Sequence, residues 1–252
     1  KFKSASSSGA ESVSSASIAV DLSGAFSQIV TVDYIVTGTA AGSGTDYTLT
    51  DGTLTISAGE ITGTITIADI IDDSLDEENE SVVITLSNPS NAIFGTDIVH
   101  TYTINDNDNL PVIDFNVVSS ISDEPSSEIN ITVDVSEISG REISVDYELT
   151  GTATGSGIDH NLENGTLTIN TGENTNIITI PNIIDDDLAE EDETIIITLS
   201  NPANSTLGDD YIYTHTISAN DDDKRPILIA TSPQDESTRV PIDSDIILKF
   251  NK

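Results

Sequence analysis

Apolar side chains recur at every second position through most of the chain, as in Ile18, Val20 and Leu22, in Val30, Val32, Tyr34 and Val36, and in Val82, Ile84 and Leu86. A period of two turns one face of a segment toward a core and the other toward water, which predicts half-buried strands. Turn formers separate these runs: Asp51-Gly52, Ser57 to Glu60, Asn88-Pro89, Asn164-Gly165 and Asn201-Pro202. The spacing predicts strands near residues 1–5, 15–22, 28–37, 53–57, 61–68, 80–87 and 98–105, enough for a seven-stranded antiparallel sandwich. No segment shows a convincing helical period.

The pattern then repeats. VDYIVTGTAAGSGTDY at 32–47 returns as VDYELTGTATGSGIDH at 145–160, and IIDDSLDEENESVVITLSNPSN from Ile70 returns as IIDDDLAEEDETIIITLSNPAN from Ile183, a constant offset of 113 residues. One unit therefore occurs twice. The predicted fold class is all-β, with domains at 1–109 and 110–223 and an incomplete third β domain at 224–252.

Charge changes the picture most. Asp and Glu number 44 against 8 Lys and Arg, a net charge of −36 over 252 residues. Phosphate recognition needs basic stripes that release counterions, so nucleic acid is excluded as a partner and anionic membranes are disfavoured. Cysteine is absent, which leaves oxygen or imidazole as the ligands of any metal. No apolar run approaches the ~18 residues of a membrane span, so no direct membrane insertion is expected. Methionine is also absent and the chain opens directly in a strand, as expected of a piece cut from a longer protein.

If each connection reverses direction, the acids gather at one end. Glu11 falls after the first strand, Asp46 between the third and fourth, Asp72, Asp73, Asp76 and Glu77 between the fifth and sixth, and Asp106 and Asp108 just past the seventh. The second unit repeats this with Glu124, Asp159, Asp185, Asp186, Asp187, Glu190, Asp221, Asp222 and Asp223. A single acidic run is ordinarily a solvated turn, and general acidity would also cover strand faces. Yet TLTISAGEITGTITI carries only Glu60. Carboxylates converging from four segments repel one another unless a cation lies between them. Calcium suits such loops because it takes about six to eight oxygens in flexible geometry. Zinc or copper would recruit His or Cys, and His100, His160 and His215 are scattered and read as structural. Crowded carboxylates without a cleft or an acid–base pair of divergent environments also argue against an enzyme.

These residues resemble the Calx-β domain. The resemblance rests on Glu11 and Glu124, the stretches GTAAGSGTD (Gly38 to Asp46) and GTATGSGID (Gly151 to Asp159), the IIDD-x-x-x-E-x-x-E segments, the LSNP turns and the acidic end of the seventh strand. It implies two tandem immunoglobulin-like β-sandwiches, each binding Ca2+ through its loops. The implied ligands are Glu11, Asp46, Asp72, Asp73, Glu77, Asp106 and Asp108, with a main-chain carbonyl near Leu75. In the second unit they are Glu124, Asp159, Asp185, Asp186 and Glu190, with the carbonyl near Leu188. Ala219 stands where the first unit has Asp106, and Asp221, Asp222 and Asp223 are the residues that could compensate.

The tail is similar to the opening of a bacterial Ig-like domain through Ser232-Pro233, Asp235, Val240-Pro241 and the alternating Ile246, Leu248 and Phe250. The expected function is a calcium-binding structural or adhesive module of an extracellular surface protein, bacterial by this resemblance, in which calcium orders the acidic loops and stiffens the interdomain joint. The alternative is a calcium-sensing regulatory module of a membrane transporter. Expected partners are calcium ions and neighbouring domains of the parent protein; the sequence names no external ligand.

Overall fold

The computed structural model describes residues 1–185, 191–219, 227–233, 238–239, 241, 243 and 245–250. Contacts divide the chain into two units. The first comprises Lys1–Pro111 with Glu137–Glu142 and Asn170–Glu173; the second comprises Val112–Ser136, Ile143–Ile169 and Asn174–Lys252.

In the first unit the strands are β1 (Ser6–Ala10), β2 (Ser15–Asp21), β3 (Val30–Gly38), β4 (Gly52–Ile56), β5 (Thr62–Ala68), β6 (Glu80–Ser90) and β7 (Val99–Asn105). Five form a sheet in the order β1-β7-β6-β3-β4, and β2 pairs with β5 in a second sheet. The inward faces supply a core that includes Ile18, Val20, Val32, Ile56, Ile67 and Ile84. These are the residues the period of two selected. Burying each such aliphatic side chain contributes about 1.5–3 kcal/mol relative to leaving it in water.

The second unit copies this plan. Its strands are β8 (Val112–Phe115), β9 (Ser119–Asp123), β10 (Ile129–Val135), β11 (Ile143–Gly151), β12 (Gly165–Ile169), β13 (Thr175–Ile180), β14 (Glu193–Ala203), β15 (Thr206–Leu207) and β16 (Ile212–Ser218). The sheets run β12-β11-β14-β16-β9 and β13-β10-β8-β15. Core residues lie at the repeat offset: Ile131, Val133, Val145, Ile169, Ile180 and Ile197. In the tail, β17 (Leu228–Ser232) pairs antiparallel with β18 (Ile247–Phe250), while Asp235 and Val240 lie outside the described residues.

The first strand lies later than the expected 1–5, and its main pairing is parallel. Phe2, fully buried, makes a single antiparallel bridge to Val20, and the main pairing comes later, where β1 runs parallel to β7. The second unit does the same with β9 parallel to β16, after β8 has paired antiparallel with β10. The first strand is thus split between the two sheets. Small residues, Ser4 to Ser8, let the chain cross over while Phe2 stays anchored in the core. Strand β6 also continues past the expected Ser87: Asn88 takes a left-handed φ of 47°, and the β3–β6 register shifts between Thr31 and Asp33. Asn201, at 49°, does the same for β14.

Two histidines are structural, and the two units use them in transposed order. In β7 the buried His100 donates through Nδ1 to the Ser4 carbonyl at 2.7 Å, so its Nε2 accepts from the Ser7 hydroxyl at 2.9 Å. Tyr102 follows, and its hydroxyl occupies the space a side chain at Gly9 would need. In β16 the order is Tyr213 then His215. The position matching Gly9 is Ser122, which bonds His215 Nε2 at 3.0 Å, and Ser120 bonds Nδ1 at 2.7 Å. Each ring is matched by the residue it faces on the neighbouring strand.

Candidate metal centre

Loops β1–β2, β3–β4 and β5–β6 and the segment after β7 bring Glu11, Asp46, Asp73, Glu77 and Asp106 around one cavity of about 20 Å³, with Glu80 completing its wall. That space suits a single ion or water. Carboxylate oxygens of Glu11, Asp106 and Asp108 lie within 4.8 Å of one another. Oε1 of Glu11, Oδ1 of Asp106 and Oδ2 of Asp108 are buried without a hydrogen-bond donor.

Local backbone geometry holds the acids in place. Ser43 and Gly44 adopt left-handed φ values of 64° and 86°, curling the loop so that the Asp46 amide donates to the Ala41 carbonyl at 2.9 Å. The Ile71 amide then donates to the Asp46 carbonyl at 2.9 Å, tying loop β3–β4 to loop β5–β6. The Leu75 amide donates to Asp73 Oδ1 at 2.8 Å. At the end of β7, the Asp106 amide donates to Asn79 Oδ1 at 3.0 Å, and Asn107 Nδ2 donates to Asp72 Oδ1 at 3.2 Å.

Electrostatics record the crowding. Burial first, then the adjoining Asp108 carboxyl and the charges of Asp106 and Asp73, push Glu11 up from 4.5 to about 7. Glu80 also rises to about 7, through burial, a hydrogen bond to Asp46 and the charges of Asp46 and Glu77. Glu77 and Asp106 are raised as well, burial being the largest cause in both. A site that holds protons near neutrality for want of positive charge is one where a divalent cation replaces protons.

Two expected residues behave differently. Asp72 is exposed and does not line the cavity. Asp76, only 3% exposed, is already paired: Arg141 Nε donates to its Oδ2 at 2.9 Å, a second guanidinium nitrogen binds Oδ1, and Ser139 Oγ donates to Oδ2 at 3.1 Å. Its charge is neutralised by an arginine within the first unit. Glu80 was absent from the expected set. Its signal was the last Glu of IIDD-x-x-x-E-x-x-E, hidden because it is also the first residue of β6.

In the second unit the same frame recurs. The Ile184 amide donates to the Asp159 carbonyl at 2.9 Å, and the buried Asp159 carboxylate accepts from the Thr154 amide. Glu124 follows β9 directly, Asp185 is exposed, and Glu193 opens β14 where Glu80 opens β6. The Ala219 amide donates to Asp192 Oδ1 at 3.2 Å, the bond Asp106 makes to Asn79, but residue 219 brings no carboxylate. Asp186, Asp187, Leu188, Glu190, Asp221, Asp222 and Asp223 lie outside the described residues.

A family model for the Calx-beta domain matches residues 1–108 and 106–223. Sodium/calcium exchanger 1 of Canis lupus familiaris is 27% identical over 205 residues, covering 71% of this chain and 20% of the exchanger; that of Rattus norvegicus is 28% identical over the same span. The chain thus spans a fifth of the length of these curated relatives. Among solved structures, the calcium binding domain CBD12 of CALX1.1 shares 19% identity over 86% of this chain and 98% of that chain, with a TM-score of 0.41. The apo-form Calx CBD1 domain shares 30% identity over 45% of this chain and 100% of that chain, also at 0.41. The family match covers both repeats, and the chain belongs to the Calx-beta domain family as two tandem copies.

Proposed function

We propose that the chain is a calcium-binding module, not an enzyme, in which Ca2+ orders the acidic loops of each unit and stiffens the joint between them. The observation that carries this reading is the set of buried carboxylate oxygens on Glu11, Asp106 and Asp108 that no donor in the protein satisfies. An oxygen-only set of this density fits a hard cation with a high and adaptable coordination number. Asp46, Asp73, Glu77 and Glu80 are the further side chains available to it in the first unit; in the second, Glu124, Asp159 and Glu193 stand at the positions of Glu11, Asp46 and Glu80. Such an ion supplies charge neutralisation and a rigid node.

The connector gives that node a mechanical reach. β7 ends at Asn105 and β8 begins at Val112, so Asp106 and Asp108 stand at the root of the link between the units. An ion that fixes them fixes the start of that link. Within a parent protein at the bacterial cell surface, this would serve adhesion or structure, with residues 224–252 opening a third, Ig-like domain. Isothermal calorimetry with calcium tests the binding. Small-angle scattering with calcium and with chelator tests the joint, and an equally broad distance distribution in both would refute the stiffening.

The exchanger relatives favour a second reading, a calcium sensor within a membrane transporter. Affinity separates the two, because extracellular modules bind at about 10⁻⁴ to 10⁻³ M and sensors at about 10⁻⁷ to 10⁻⁵ M. Among the described residues no helix is long and apolar enough to cross a membrane.

A further inference from the structure

We propose that Asn164 is a site of spontaneous covalent modification, deamidating through a cyclic imide formed with Gly165 to give an aspartate that reproduces Asp51 of the first unit. The two positions are equivalent in the repeat and do the same work. Asp51 Oδ1 accepts a hydrogen bond from the Val36 amide at 2.8 Å, and Asn164 Oδ1 accepts one from the Leu149 amide at 2.9 Å. The first unit thus demonstrates that a carboxylate is accommodated there.

The residue that follows is constrained by packing. A Cβ on Gly165 would lie 2.6 Å from the Tyr147 hydroxyl oxygen and 2.8 Å from its Cζ; one on Gly52 would lie 2.7 and 3.0 Å from the same atoms of Tyr34. The tyrosine ring crosses the strand at this point, so a larger residue would have to push it aside. The packing therefore favours glycine at 165 and a side-chain acceptor at 164. An aspartate supplies that acceptor in one unit and an asparagine in the other, creating the only Asn-Gly pair in the chain.

This pair is arranged to react. Glycine leaves its amide nitrogen unshielded by a side chain. Asn164 is exposed, so water and general bases reach it. The Leu149 N–H draws electron density from the Asn164 amide carbonyl and makes Cγ more electrophilic. Gly165 forms the terminal register pair of β11 and β12, opposite Tyr147, so its amide is released by opening the end of the ladder alone. In the reaction the Gly165 nitrogen bonds to Cγ and gives its proton to solvent, the Cγ–Nδ2 bond breaks, and ammonia leaves. Water then opens the five-membered imide. Attack at Cγ restores the normal backbone with an aspartate side chain at position 164, whereas attack at the backbone carbonyl carbon gives isoaspartate, with one extra methylene in the main chain. Water is the only co-reactant. The aspartate product keeps the acceptor for Leu149, while isoaspartate removes it and displaces the start of β12, so the fold favours the former.

The test is incubation of the full, unglycosylated chain in mildly alkaline buffer at physiological temperature, followed by peptide mapping. The amide-to-acid mass gain should appear at residue 164 ahead of every other asparagine, with one ammonia released per chain. The Leu149 amide should remain protected from hydrogen exchange in the product. Asn164→Gln, whose longer side chain cannot close the five-membered ring, should lose the conversion at this position. Retention of the Asn164 amide while another asparagine converts would overturn the assignment. A product that is mainly isoaspartate, with rapid exchange at Leu149, would overturn the claim that conversion reproduces the first unit's arrangement.

Discussion

Glu11 and Asp108 bring carboxylate oxygens within 4.8 Å of each other, and one oxygen of each is buried without a hydrogen-bond donor. In the metal-free protein these groups gather negative charge that a cation would neutralise.

Acidification should act on this unit in an unusual direction. Glu11 and Glu80 are raised from 4.5 to about 7, so the folded metal-free unit binds protons more tightly than the unfolded chain. Their stabilising contribution is fully present below about 4.5 and is lost as pH rises through about 7. Melting of the first unit in chelator should shift downward across that window. A rising melting temperature there would contradict the raised Glu11 and Glu80.

His215 predicts the opposite trend in the second unit. Burial lowers it from 6.5, so the folded state resists its protonation, and the associated stability is present above 6.5 and lost as pH falls below it. Hydrogen exchange resolved by strand should show β9 and β16 loosening on acidification, and replacing His215 with Gln should flatten that response.

Calcium binding should expel protons near neutrality. Occupying the site requires Glu11 and Glu80 to ionise, so affinity rises with pH up to about 7 and levels off above it. Calorimetry in buffers of different ionisation enthalpy reads the released protons directly. Observed heats that do not change with the buffer's ionisation enthalpy would mean that binding releases no protons from these groups.

Asp73 and Asp76 are neighbours with different roles, and substitution separates them. Asp73→Asn should weaken calcium in the first unit and reduce the thermal stabilisation that calcium provides, about 2.7 kcal/mol per independent site at 100 times the dissociation constant. Asp76→Asn should leave calcium affinity nearly unchanged but destabilise the metal-free protein by roughly 3 kcal/mol, because it strips a buried partner from Arg141. Glu60→Gln, far from the cavity lining, serves as the neutral control.

Much of this architecture was legible because the strand period and the 113-residue repeat are local patterns, and alternation assigns Ile84 and Ile197 to a core without knowledge of their neighbours. Placing Glu11, Asp46, Asp73, Glu77 and Asp106 together needed only the reversal of direction at each turn. What failed depended on contacts across long separations. Nothing near Asp76 in sequence announces that Arg141 takes its carboxylate. Glu80 was obscured because one residue serves both strand and site. The split first strand was missed because Ser4 to Ser8 carry no apolar alternation, and their pairing is dictated by β7.

That split strand decides how tension would travel through the first unit. Because β1 lies parallel to β7, pulling the chain apart from before β1 and beyond β7 slides the two past each other and loads the pairs from Ser6↔Thr101 to Ala10↔Asn105 together, not one after another. The Glu11 amide extends this seam by donating to the Asn105 carbonyl at 3.0 Å, and Glu11 and Asp106 stand immediately beyond its last register pair. A cation gripping those two carboxylates would act as a rivet at the end of a shear joint, so that calcium would set the force at which the seam gives way.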